Sequence, residues 1–136
     1  MEALGAEFIL HGVKQKPGKP MLFAKLDGTP VFGLPGNPRA VMVLFGEYVL
    51  PFLRAMQGAA DPGPCIEHLS IEQALKVKGD RAEFRAALVT EGRVKLLADE
   101  GSHMLRSLTE ANALAFIQAD VREFKAGETI EVHHIR

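Results

Sequence analysis

The feature that most limits what this chain can fold into is a change of hydrophobic period across Gly33-Leu34-Pro35-Gly36-Asn37-Pro38-Arg39-Ala40. Before it, apolar residues fall in short extended runs. After it, Val41, Leu44, Phe45, Tyr48, Val49, Phe52, Leu53 and Met56 recur at three- and four-residue steps, the broad apolar stripe of a helix buried on one side. Asn37 is a favoured N-cap, and Pro38 suits the first helical position, where a missing amide hydrogen costs nothing. Pro35 stiffens the approach, and Gly36 lets the backbone come close to whatever lies above it. Such a helix start presents unpaired N–H groups and the positive end of the dipole, which suits a phosphate, another oxyanion or a carboxylate. The plainer reading is that Asn37 and Pro38 only cap the helix. Pro51 predicts a kink or restart, and Gly58 a C-terminal cap.

The composition shifts at Gly58-Ala59-Ala60-Asp61-Pro62-Gly63-Pro64, which reads as a linker. Upstream, residues 8–13 read as a strand, followed by a lysine-rich turn and a hairpin of residues 21–26 and 30–34 joined at Asp27-Gly28. Downstream, residues 65–69, 83–89, 93–97, 113–117 and 129–135 read as short strands, with Glu91-Gly92 turning one into the next and residues 104–111 as a turn of helix. Phe84, Ala86 and Leu88 alternate with Glu83, Arg85 and Ala87. This pattern predicts a small antiparallel barrel or sandwich.

Charge excludes several functions. Sixteen Lys and Arg against seventeen Asp and Glu give a net charge of −1, so no global basic field is available to hold DNA or an anionic membrane. Any anion must be held locally. The absence of Trp and a single Tyr argue against a stacking platform for single-stranded nucleic acid. One cysteine, Cys65, no secretory leader and no long apolar run lead to the expectation of a soluble, cytoplasmic protein. His11, His68, His103, His133 and His134 lack metal-ligand spacing, Ser102-His103 lacks a third group for nucleophilic catalysis, and Cys65 lacks an activating neighbour.

Local cations remain. Lys16-Pro17-Gly18-Lys19-Pro20 carries two ammonium groups on a proline-restrained turn, either a clamp for an anion or a solvated basic loop, and it is not a Walker motif. Ser102, after Gly101, either donates to an oxyanion or caps the following turn. Arg85, on the strand face opposite Phe84, Ala86 and Leu88, is either a planar fork for a phosphate or simply solvated.

Three blocks occur together and in order: Lys16-Pro17-Gly18-Lys19-Pro20, then Gly33-Leu34-Pro35-Gly36-Asn37-Pro38, then the run from Gly101 to Asn112. Together they resemble the C-terminal part of the MoeA family, the molybdopterin molybdenumtransferases, which include the E domain of gephyrin. The resemblance implies an α/β plus all-β chain: the end portion of a three-layer, MogA-like α/β domain over residues 1–60, then a small β-barrel-like, β-clip domain over residues 61–136. It implies molybdenum cofactor biosynthesis, with molybdate inserted into adenylylated molybdopterin, AMP released and Mg2+ assisting. By resemblance Lys16, Arg85 and Ser102 match catalytic positions, while Lys19, Pro35, Gly36, Asn37 and Pro38 match cofactor-binding ones.

The departures are specific. A second family lysine would fall at Gly12, and the family's acidic, metal-binding residues have no counterpart, so this chain is expected to contribute no metal ligand and not to turn over alone. Two N-terminal domains and most of the α/β domain are likewise without counterpart. Fewer than about 60 residues bury only about 60% of their unfolded surface, a marginal core. A homodimer or the missing domains are therefore expected to cover the stripe of residues 41–56 or the hairpin edge. The rival expectation is a noncatalytic dimerisation or peptide-binding module; a generic phosphate-ester enzyme is the weakest option, for want of an acid, base or metal cluster.

Overall fold

The computed structural model describes residues 2–98 and 104–135. Its first half holds strands β1 (Glu7–His11), β2 (Gln15–Lys16), β3 (Leu22–Leu26) and β4 (Thr29–Gly33), then helices α1 (Pro38–Leu44) and α2 (Leu50–Met56). β1, β3 and β4 form an antiparallel sheet in that order. The β3–β4 hairpin turns on Asp27 and Gly28, both at positive φ (49° and 78°), the two-residue geometry that matches strand twist. Phe23 and Phe32 face each other across it and receive Phe52 of α2 edge-on, with ring centroids 5.8 and 5.3 Å away.

α1 and α2 are joined through Phe45–Val49, a π turn in which Leu50 N–H reaches back to the Phe45 carbonyl. The turn lies immediately before Pro51, whose ring and missing N–H disturb the α ladder. The single-stripe expectation is corrected here. Ala40, Val43 and Leu44 are buried, whereas Met42, Phe45, Leu53 and Met56 are exposed. The mismatch begins before the π turn, at Val43, which lies outside the expected stripe and is buried, and the extra residue of the turn then shifts the phase again beyond it.

The second half adds β5 (Cys65–Ile71), β6 (Leu75–Lys76), β7 (Ala82–Thr90), β8 (Arg93–Leu96), α3 (Met104–Glu110), β9 (Ala113–Ile117), β10 (Glu123–Phe124) and β11 (Thr129–His134). The order β7-β8-β5-β11-β9, with β9 pairing back onto β7, closes a five-stranded barrel. One junction, β5–β8, is parallel, where an all-antiparallel barrel was expected. Closure leaves no open edge among the five strands. The interior is narrow and filled by Ala87, Ala113, Ala115, Val94, Ile117, Ile130 and Val132. On the outside of the barrel Phe84, Ala86 and Leu114 pack under Val43 of α1 and Leu108 of α3. Both faces of β7 are therefore covered, and its alternation separates two cores, not a core from solvent.

Candidate anion-binding site

The lysine turn is built into the seam between the two halves. β2 pairs in parallel with β7, Gln15 opposite Ala82 and Lys16 opposite Glu83. Gln15 is buried; its amide nitrogen donates to the Pro17 carbonyl at 3.1 Å, and its amide oxygen accepts from the Tyr48 hydroxyl. Burial, and secondly the charge of Glu47, push the Tyr48 hydroxyl above its ordinary range, so it stays a neutral donor. Gly18, at φ 99°, lies against Leu44, and a Cβ there would come within 2.8 Å of that side chain. Only glycine lets the turn settle onto α1. The Lys16–Pro17 peptide is cis.

Glu83 is the residue that sequence reasoning missed. Its carboxylate is 7% exposed, and its Oε2 accepts from Arg85 Nε at 3.0 Å and Nη2 at 2.9 Å. The other oxygen faces Lys16 Nζ at 3.7 Å. Lys16 and Arg85, far apart in sequence, thus meet on one buried carboxylate, and Arg85 is ion-paired where a merely solvated side chain was the plainer expectation. The signal available in the sequence was period two: Glu83 and Arg85 share a strand face with Ala87.

Lys19 lies on a neighbouring open cavity of about 530 Å³, lined also by His11, Gly12, Lys14, Asp80 and Arg81. Lys14 is tied to Asp80 at 3.0 Å, and that partner holds the Asp80 carboxyl below its usual range. Gly12, where the family lysine would fall, is at φ 85°, in the left-handed region where a lysine would be strained. Arg81 brings a cation to the same cavity.

The Pro35–Pro38 corner leads into Arg39, whose Nη2 donates to the carbonyl of Phe84, the residue between Glu83 and Arg85, at 3.4 Å. Gly36, Asn37 and Pro38 are exposed, and a Cβ on Gly36 would meet nothing within 4 Å. Asn37 Oδ1 accepts from the amides of Arg39 (3.0 Å) and Ala40 (3.3 Å), so its side chain is engaged as an N-cap. Among the described residues no hydrogen bond or ion pair joins this corner to Lys16, Lys19 or Arg85. Ser102 lies outside the described residues.

A second polar cluster clamps the helices to the barrel. His133 is buried on β11, with Nδ1 2.7 Å from Glu47 and Nε2 2.8 Å from Glu131. Both ring nitrogens face carboxylate oxygens, an arrangement that the imidazolium, with its two N–H donors, satisfies in full. Desolvation works against that charge, but the hydrogen bonds and charges of Glu47 and Glu131 outweigh it, and the His133 pKa is raised above 6.5. His134, pointing the other way, contacts Glu67.

The chain is thus an α/β unit continued into a small closed barrel, with Lys16 and Arg85 gathered on Glu83 at their seam. Residues 1–55 match the family model described as a probable molybdopterin binding domain, and residues 70–135 match the MoeA C-terminal region, domain IV. A molybdopterin molybdenumtransferase 2 of Mycobacterium tuberculosis (strain CDC 1551 / Oshkosh) is 34% identical over 94% of this chain and 32% of its own length. The molybdopterin molybdenumtransferase of Synechococcus elongatus is 32% identical over 99% and 34%. The crystal structure of the molybdopterin biosynthesis MoeA protein from Pyrococcus horikosii superposes with a TM-score of 0.83 at 26% identity, over 99% of this chain and 33% of that one. The chain belongs to the MoeA family and corresponds to its C-terminal portion. It spans about a third of the length of these curated relatives.

Proposed function

We propose that this chain is the part of a molybdopterin molybdenumtransferase that grips its anionic substrates: molybdate, and the adenylylated molybdopterin whose phosphoanhydride breaks as AMP leaves. The observation that supports this reading is the meeting of Lys16 and Arg85 on Glu83. Cations held in place before the reaction stabilise charge as it develops on a departing phosphate, and preorganised charge is worth more than charge that must be gathered. Lys19 and Arg81 extend the cationic surface into the neighbouring cavity. In this reading Pro35, Gly36, Asn37 and Pro38 wall the substrate, and the division of labour falls at residue 60.

The family implies Mg2+. Among the described residues no group of three or more His, Cys, Asp or Glu is arranged to hold a metal ion. The described residues thus present no cluster of that kind for the ion, and no step is assigned to it. No described helix is long and apolar enough to cross a membrane; the cytoplasm is the compartment we assign.

Titration calorimetry of this chain with molybdate and with AMP tests the proposal. The expected result is measurable binding of at least one, weakened about tenfold or more by Lys16→Ala, the worth of one charge-assisted hydrogen bond. No heat from either anion at millimolar concentration overturns it.

The exposed Met42, Phe45, Leu53 and Met56 support a second reading, in which a second copy of the chain covers the helix face. Sedimentation should then give a dimer that dissociates on Met56→Glu; a monomer at all concentrations removes this reading.

A further inference from the structure

We propose that Glu83 is a positioning residue for the anion site, its buried carboxylate setting where Lys16 and Arg85 present their remaining N–H groups. This rests on the reading of the seam as an anion-binding site and deepens it. The geometry grades outward: the Glu83 side chain is 7% exposed, Arg85 22% and Lys16 44%. The carboxylate therefore stands behind the two cations, away from solvent. Ionised, it is an acceptor only, and it takes two N–H groups of Arg85 and one direction of Lys16, leaving both cations donors to spare. The trio keeps a net charge of +1. Lys16 is also fixed from its backbone, directly opposite Glu83 in the β2–β7 ladder. Without the carboxylate, two like charges would face each other across that ladder, and the lysine, the more exposed, would swing into water.

Electrostatics alone makes the opposite prediction, which renders the idea sharp. Removing a negative charge from a cationic site should tighten anion binding if Glu83 contributes only its field. If Glu83 positions the cations, Glu83→Gln should weaken binding although the site becomes more positive. The affinity of Glu83→Gln for molybdate and for AMP is expected to fall at least about threefold, with the effect nearly abolished in a Lys16→Met background, as for residues acting through one another. Unchanged or tighter binding overturns the proposal, as does an equal loss in both backgrounds.

A ligand-free measurement separates this from failure of the binding reading itself. Acetylation by acetic anhydride, followed by mass spectrometry, should be slower at Lys16 than at the exposed Lys25 in the unaltered chain, and should speed up at Lys16 in Glu83→Gln and Glu83→Asp. Equal rates at Lys16 and Lys25 in the unaltered chain refute positioning, whether or not an anion binds and whether or not the variants fold.

Discussion

Asn112 does with its side chain what a strand does with its backbone. Its Oδ1 accepts from Val89 N–H at 2.8 Å while its Nδ2 donates to the Val89 carbonyl at 2.9 Å, which extends the β7–β9 ladder by one pair. Its own N–H donates to the Ala87 carbonyl at 3.2 Å, and its carbonyl accepts from Ile135 N–H at 3.0 Å. Asn112→Ala would leave both Val89 groups without their partner in a half-buried setting, and should cost about 1–3 kcal/mol in urea unfolding. Asn112→Asp keeps the acceptor and loses the donor, so it should fall between. In the sequence Asn112 was visible only as the end of a block that pointed to a family. No periodicity assigns a side chain the duty of a strand. Glu83 was hidden for a related reason: period two put it beside Arg85, but its pairing with Lys16 is a contact between remote segments.

Elements whose signals are local were readable. The turns at Asp27-Gly28 and Glu91-Gly92 were read from residues that tolerate positive φ, and Glu91 and Gly92 indeed stand at 50° and 73°. The strand at Ala113–Ile117 and the helix start at Pro38 fall where the sequence placed them. β2, β6 and β10 were not readable, because two residues carry no period. The helical stripe was readable in existence and wrong in phase: Val43 is buried by a remote contact with Phe84, and the π turn at Phe45–Val49 then adds a residue that no hydrophobic pattern announces. The cation site was half readable. Its lysine and arginine were named from their chemistry, while the closure of the barrel and the parallel docking of β2 that bring them together are products of topology.

At the scale of the whole molecule, the two halves are held by apolar packing of Val43 on Phe84, by the β2–β7 pairing and by the Glu47–His133–Glu131 bridge. The last carries a titratable group with a shifted pKa. The Phe84 and Phe116 rings lie 5.5 and 5.8 Å from the imidazole, and His68 approaches Glu131 at 3.5 Å, so the bridge is bounded by aromatic rings and a second titratable ring. His133 has a folded pKa raised above its ordinary 6.5, so the folded state holds the proton more tightly than the unfolded one. Its stabilising contribution is therefore complete below about pH 6.5 and is lost as pH rises through the raised value. A neutral imidazole has one N–H and would leave one of two partly buried carboxylates without its donor. Thermal unfolding followed by circular dichroism should show the melting temperature falling as pH is raised above 6.5, in a step that His133→Gln removes. Glu47→Gln should shrink the same step, because it takes away one of the two carboxylates that raise the pKa. A melting temperature that stays level through this range, or falls equally in His133→Gln, would mean that the His133 bridge adds no pH-linked stability to the joining of helices and barrel.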